Sequence, residues 1–353
     1  MKEKIEFEIE GRLIGDGHPP YVIAELSCNH NNDLDRGLRI IEEAKKAGVD
    51  AIKLQTYTAD TITFDSERPE FQIKGGLWDG RTLYDLYDEA HTPWDWHEPF
   101  FQKAHDIGLT VFSSPFDLSA VDFLEENFSP PAYKIASFEM VDIPLIEKTA
   151  ATGKPVFMST GLSTDEEIND AVGAARSAGC KDLVLFHCVS GYPTAVEDVN
   201  LRMIPTLREK YDVLTGLSDH TLTTTTSVGA TAFGAAAIEK HLILKRDEGG
   251  LDAEFSIEPE EMSELVRECR ILFSSLGTDE RAIRKSEKSS VGMRRSLYVV
   301  EDMKAGEVFT PENVRSIRPE AGMKPKFYKQ VLGKKANRNI EKGTPLSNEI
   351  IDN

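Results

Sequence analysis

The chain has 353 residues, 40% of them apolar and 29% charged, which fits a soluble globular protein with one large domain and a small one. Forty-one basic residues face 60 acidic ones, and the net charge of −19 argues against non-specific nucleic-acid binding. No stretch approaches the roughly 18 apolar residues of a membrane span, and the charged, alternating start lacks the apolar segment of a signal peptide, so a cytoplasmic protein is expected.

From Tyr21 to Leu244 one unit recurs: a short apolar run, a polar residue at its end, then a stretch with helical spacing. The runs are 21–27, 50–56, 109–114, 132–137, 155–160, 182–188, 212–219 and 235–244. Each is apolar on both faces, as strands of a buried parallel sheet are. After the first run, Leu34, Leu38, Ile41 and Ala44 share a helical face that Gly48 terminates. After the fifth, Ser163 and Glu166 have capping-box spacing and Gly179 closes the helix. Eight strands alternating with helices over about 230 residues predict a (β/α)8 TIM barrel. An open doubly wound sheet is the alternative, but the first strand is not followed by its glycine-rich fingerprint.

Residues 57–98 break the rhythm. They form a segment far longer than a usual strand-to-helix loop and carry Phe64, Phe71, Trp78, Tyr84, Tyr87, Trp94 and Trp96. Placed after the second strand, the segment is expected to lie over the barrel's C-terminal face; a separate surface subdomain is the other reading. Past Leu276 the texture becomes polar and charged. The expected organisation is a barrel over 1–278, a linker over 279–292 and a compact β-rich module over 293–353.

Polar residues at the C-terminal ends of barrel strands form active sites. The ends here supply Glu25, Ser27, Asn29 and His30, then Lys53 and Gln55, Ser113 and Ser114, Lys134, Ser137 and Glu139, Ser159, His187, Ser190 and Tyr192, Asp219 and His220, and Glu239 and His241. Lysine is seldom buried without a partner. Lys53 and Lys134, with Gln55, Ser137 and Ser159, suit a cradle for phosphate and carboxylate; structural ion pairs or a Schiff-base lysine are the alternatives. His220 and His241 end neighbouring strands beside Asp219 and Glu239. They read either as packing residues or as an open, catalytic metal site. The four cysteines, Cys28, Cys180, Cys188 and Cys269, form no CxxC pair and are expected to be free and buried.

Seven segments in order then resemble one family: "IAELSCNHNNDL" with "AGVDAIKLQTYT", "YKIASFE", "GKPVFMSTGLST", "HCVSGYPT", "GLSDHT", "IEKHLIL" and "RRSLYVVEDMKAGE". Together they resemble the sialic acid synthase (nonulosonate synthase) family over nearly the whole chain, and the 64–97 insertion is most similar to its pseudaminate-forming branch. The resemblance implies a TIM barrel with a C-terminal SAF (antifreeze-like) domain. It implies a transferase that condenses phosphoenolpyruvate with 2,4-diacetamido-2,4,6-trideoxy-L-altrose and water. Synthesis of N-acetylneuraminate or legionaminate is the alternative outcome of the same chemistry.

Carried over by residue, the resemblance makes His220 and His241 ligands of a divalent metal, Mn2+ first and Mg2+ or Co2+ next. Lys53, Lys134, Gln55, Ser137, Ser159 and Ser190 would hold phosphoenolpyruvate. Glu25 would lie near the sugar's reacting end, and Tyr192 and Asp252 would contact the sugar or metal-bound water. On chemical grounds a carboxylate such as Glu25 or Glu139 can orient or deprotonate the water that adds. It also implies a domain-swapped homodimer in which Arg295, or its neighbour Arg294, reaches the partner's site. Cys28 and Asn32 stand where relatives carry small residues, and Ser190 where some carry Asn.

Overall fold

A computed structural model describes residues 4–352. The chain divides into two compact units, Met1–Gly277 and Thr278–Asn353. The first unit opens with an antiparallel hairpin, β1 (Glu6–Ile9) paired with β2 (Arg12–Gly15). Eight parallel strands follow: β3 (Tyr21–Glu25), β4 (Ala51–Thr56), β5 (Thr110–Pro115), β6 (Tyr133–Ile135), β7 (Val156–Ser159), β8 (Leu183–Cys188), β9 (Leu214–Asp219) and β10 (Ala237–His241). They close in sequence order, with β10 pairing back onto β3, and form the expected TIM-type barrel.

Strand periodicity sorts the side chains into two shells. Outward-facing Val22, Ala24, Ile52, Leu54, Leu217 and Ile238 join the core under the helices. Inward-facing Tyr21, Ile23, Ala51, Phe112, Phe157, Val184, Phe186, Leu214 and Ala237 fill the lower barrel. Phe112, Phe157 and Phe186 stack at centroid spacings of 5.6 Å. Phe7, Ile9 and Ile14 of the hairpin join this cluster and plug the barrel's N-terminal end. The alternating charge of the N-terminus is therefore a strand pattern, with apolar residues in and glutamates out. Gly216 is required here, since a Cβ on it would meet Ala237 O at 2.4 Å and the Phe186 ring at 2.6 Å.

The helix after β3 runs Leu34–Ala47, capped by the Asp33 side chain and ended by left-handed Gly48. Its most buried side chains include Ile40, Ile41 and Ala44, while Leu34 and Leu38 pack at the margin. The helix Asp165–Ser177 starts one residue later than expected. Thr164, not Ser163, is the N-cap, and Glu167, not Glu166, completes the capping box. The same T-x-x-E spacing is simply shifted along the chain. All four cysteines are free and buried.

In the second unit, β11 (Ser296–Val299) pairs antiparallel with β12 (Val314–Ile317). Isolated bridges such as Met303–Ile340 and Val308–Lys335 extend the pairing. The core comprises Leu297, Val299, Phe309, Val314, Ile340, Leu346 and their neighbours. Gly-containing turns cut most of this module into pieces shorter than a regular strand. Among the described residues, no helix is long and apolar enough to cross a membrane.

Candidate active site

The barrel's upper interior changes abruptly from rings to charges. Glu25, Lys53, Lys134 and Glu239 are all essentially buried. Lys53 Nζ lies 2.7 Å from Glu25 Oε2 and 3.8 Å from Glu239 Oε2, and Lys134 Nζ lies 3.1 Å from Glu239 Oε1. Register explains the first contact, because Glu25 and Lys53 are direct partners across β3 and β4. Burial opposes ionisation of Glu239, yet Lys134 and Lys53 outweigh it and hold the carboxyl at about 2. Burial also drives Lys134 below the ordinary ammonium range against the pull of Glu239. Lys53 resists the same penalty because two carboxylates face it, and it lies above that range. Burial pushes Glu25 up against the opposing effect of Lys53.

Both lysines are therefore paired, as a structural reading of them requires. They nevertheless line an open cavity of about 530 Å³, the size of a small-molecule site. Gln55, Ser137, Glu139, Ser159, Tyr192, His220, His241 and Asp252 line it as well. Glu25 does not line the cavity; it is fully buried beneath it, and its Oε1 accepts from Gln55 Nε2 at 2.9 Å. Ser159 Oγ and Glu139 Oε2 are buried in the cavity lining without a protein hydrogen-bond partner. Beside an open cavity, such atoms are free to pair with solvent or with a ligand. Burial pushes the Glu139 carboxyl up to about 7, against its own backbone amide and Lys134.

The two histidines converge on one wall with ring centroids 5.5 Å apart. Nδ1 of His220 lies 3.0 Å from Val189 O. A carbonyl only accepts, so this nitrogen carries the hydrogen, and in the neutral ring Nε2 keeps a lone pair for a ligand. Nδ1 of His241 lies 3.3 Å from Asp252 Oδ2, which also accepts from Ser27 Oγ at 2.6 Å. A carbonyl or carboxylate behind each imidazole is the usual support of a metal-binding histidine. Among the described residues no group of three or more His, Cys, Asp and Glu side chains is arranged to hold a metal. The protein's share of a metal site would be these two rings, with the other positions left to solvent or substrate.

The opposite wall is apolar and comes from the long segment after β4. Its helix Leu83–Ala90, capped by Thr82, presents Leu83, Leu86, Tyr87 and Ala90 to the cavity. The i, i+3, i+4, i+7 spacing of these residues is legible in the sequence. Trp78 donates Nε1–H to Leu251 O at 3.3 Å and lies 5.9 Å from Tyr192, which ties the segment to the loop after β10. The two ends of the segment meet where Thr56 Oγ1 lies 2.8 Å from His97 Nε2, both buried. The aromatic segment thus covers the barrel's C-terminal face.

Several strand-end residues lie elsewhere. His187 and Asp219 point outward, because they alternate with the inward residues of their strands; His187 Nε2 meets Val199 O, and Asp219 pairs with Lys240. Asp219 therefore does not stand beside the two histidines. Asn29 bridges Leu242 O and Ser256 Oγ as a structural tie. His30 packs against Trp96. Ser190 does not line the cavity. It crowds Gly161, where a Cβ would come within 2.3 Å of Ser190 Oγ and 2.7 Å of Ser137 Oγ. Asn31 and Asn32 take φ values of 49° and 55°, a left-handed geometry that asparagine tolerates, so Asn32 can stand for a smaller residue. Arg295 belongs to the second unit and donates to Ser316 O at 2.7 Å, while Arg294 pairs with Glu320. Cys28, Cys188, Ser218 and Phe255 also line the cavity, and strand alternation from Phe186 would have placed Cys188 there.

A closed parallel barrel with buried charges and open-sided histidines at its C-terminal end defines an enzyme of the TIM-barrel class. Residues 40–281 match the NeuB family and residues 294–350 the SAF domain, and the chain belongs to the NeuB family. It is 44% identical over 326 residues to a pseudaminic acid synthase of Campylobacter jejuni, covering 92% of this chain and 95% of that one. It is 41% identical over 335 residues to a pseudaminic acid synthase of Helicobacter pylori, covering 95% and 98%. A solved structure of N-acetylneuraminic acid synthetase from Leptospira borgpetersenii, in complex with citrate, superposes with a TM-score of 0.73 at 31% identity, covering 82% of this chain and 95% of that one.

Proposed function

We propose that this protein is a pseudaminic acid synthase, a transferase that joins phosphoenolpyruvate, 2,4-diacetamido-2,4,6-trideoxy-L-altrose and water into pseudaminate and phosphate. The observation that carries this reading is the pair of buried lysines and the two open-sided histidines that line one cavity. Lys53 and Lys134 match the carboxylate and phosphate of phosphoenolpyruvate, with Ser159, Ser137 and Gln55 as neutral donors. Glu25 and Glu239 hold both lysine side chains in place until that anion arrives.

C3 of phosphoenolpyruvate attacks the sugar aldehyde carbon, the aldehyde oxygen gains charge, and C2 is left electron-poor. A divalent cation held by His220 and His241, Mn2+ or alternatively Mg2+ or Co2+, would supply Lewis acidity at that oxygen. Water adds at C2. Glu139, poised near neutrality, takes its proton, and Glu25 orients the same centre. The proton taken by Glu139 returns to the former aldehyde oxygen, which becomes a hydroxyl. The C2 adduct then breaks its C2–O bond to phosphate. Its own hydroxyl proton leaves with the phosphate as C2 becomes the ketone, and the lysines stabilise the leaving charge. Tyr192 and Asp252 face the sugar. The apolar wall of Ile73, Trp78, Leu83, Leu86 and Tyr87 suits the methyl at C6 and an acetamido methyl, which favours a 6-deoxy sugar over N-acetylmannosamine.

Two further expectations belong to this reading. Four free buried thiols suit a cytoplasmic, reducing setting. A domain-swapped homodimer, in which Arg295 of one copy serves the other's cavity, is supported by apolar side chains exposed on loops at the barrel's C-terminal end: Phe138, Val141, Leu162 and Leu222. The deciding assay measures phosphate release from phosphoenolpyruvate with either sugar, with Mn2+ or with chelator. Metal-dependent release with the trideoxy sugar alone is expected. Release with N-acetylmannosamine instead would move the protein to N-acetylneuraminate synthesis. Release with neither, but with the manno-configured 2,4-diacetamido-2,4,6-trideoxy isomer, would move it to legionaminate synthesis.

A further inference from the structure

On the outer face of the barrel, behind the cavity, lies a second buried ion pair. Lys240 Nζ is 2.9 Å from Asp219 Oδ2, with side chains 0% and 1% exposed. The two residues are direct partners across β9 and β10. Each immediately precedes one of the paired histidines. Alternation along the strands sends Asp219 and Lys240 outward and His220 and His241 inward, so the ion pair and the imidazole pair are two sides of one cross-strand junction.

The pair also grips the backbone of Thr221, immediately after His220, at both its N–H and its C=O. Asp219 Oδ1 accepts from Thr221 N at 2.9 Å, and Lys240 Nζ donates to Thr221 O at 2.5 Å. Asp219 Oδ2 further accepts from Thr226 Oγ1 at 2.7 Å and Ser227 Oγ at 2.6 Å, both on the helix Thr225–Ala232. A fully buried ion pair is a poor source of net stability, because desolvation offsets its attraction, and a well-packed apolar pair often does as well. What it supplies better than an apolar pair is register and a fixed backbone.

We infer that the Asp219–Lys240 ion pair is a positioning device that sets the separation and orientation of His220 and His241 for a divalent cation. The inference rests on the proposal that these two rings hold such a cation. The test compares the full-length wild type with the Asp219→Asn/Lys240→Gln double variant, which removes both charges but keeps hydrogen-bonding groups of similar size. Three quantities are measured without substrate turnover: Mn2+ affinity by calorimetry, phosphoenolpyruvate affinity without metal, and the unfolding midpoint without metal. The expected result is a folded variant with Mn2+ affinity lowered 10–100-fold, as for other residues that orient metal ligands, and with phosphoenolpyruvate affinity within about threefold.

Mn2+ affinity unchanged within about threefold would overturn the inference and leave the pair a structural one. If the double variant does not fold, Thr226→Val and Lys240→Arg decide. The first frees Asp219 from one anchor and should weaken Mn2+ several-fold; the second keeps the ion pair and should retain most of the affinity. Wild-type-like Mn2+ binding in Thr226→Val, or loss of binding in Lys240→Arg with an unchanged unfolding midpoint, would overturn it. His220→Ala keeps the two proposals distinguishable. If the wild type does not bind Mn2+, or binds it equally after His220→Ala, the metal reading itself fails and this inference falls with it.

Discussion

The two ends of the barrel are built from the same eight strands with opposite chemistry. The lower interior holds stacked Phe112, Phe157 and Phe186 above a hairpin plug. The upper interior holds Glu25, Lys53, Lys134 and Glu239, with unpaired polar atoms beside a cavity. The boundary is one side chain thick, since Lys134 Nζ lies 5.3 Å above the Phe186 ring. Apolar burial stabilises the fold, whereas buried charge costs desolvation and is kept for what it binds. Stability and chemistry are thus stacked in separate layers and can be perturbed separately.

The sharpest break in that separation is Lys53→Met. It removes one of the two cations expected to meet phosphoenolpyruvate and leaves Glu25 buried without its partner. Activity should fall by about 10³-fold or more, and stability by about 3–5 kcal/mol as an uncompensated charge stays buried. Steady-state phosphate release and chemical unfolding measure both, and activity within tenfold of wild type would remove Lys53 from the site. Phe157→Ala should do the reverse. It opens a void in the lower layer and should cost about 3–5 kcal/mol, while kcat/KM of the folded fraction stays within a few-fold. A large drop in kcat/KM without loss of stability would show that the layers are coupled.

Smaller effects sharpen the picture of the upper layer. Glu139→Gln should lower kcat about 10²-fold, the low end for a lost general base. The pH profile carries the sign. Burial lifts the Glu139 carboxyl to about 7, and a base works ionised, so wild-type kcat/KM should rise with pH through that region. The rise should disappear in Glu139→Gln. A rate that instead falls as pH climbs through 7 would make Glu139 an acid. Mixing Lys53→Met and Arg295→Ala protein should restore part of the activity if each dimer site uses Arg295 of the partner subunit; no recovery on exchange of subunits would make Arg295 a residue of its own module. Trp78→Ala should be the mildest change, raising KM for the sugar about tenfold while KM for phosphoenolpyruvate holds. Equal rises in both constants would show that the apolar wall shapes the cavity without reading the sugar.

The amino-acid sequence alone determined what depends on local periodicity and short spacing. The eight apolar runs, the strand-end lysines and histidines and the Leu34–Ala47 helix with its glycine stop were all legible, because strand alternation and helix capping act over a few residues. The ordered segments marked the family, and the sequence placed the aromatic segment after the second barrel strand. The tertiary structure decided which phase of the alternation faces the barrel interior, and so which way each strand-end residue points. Asp219 and His187 read as site residues beside His220 and Ser190, yet one residue of alternation turns them away. The tertiary structure also paired Lys53 with Glu25 and Lys134 with Glu239. Lys134 and Glu239 are 105 residues apart, and even for the neighbouring strands of Glu25 and Lys53 the register in a closed barrel is set by how all eight strands tilt and close together.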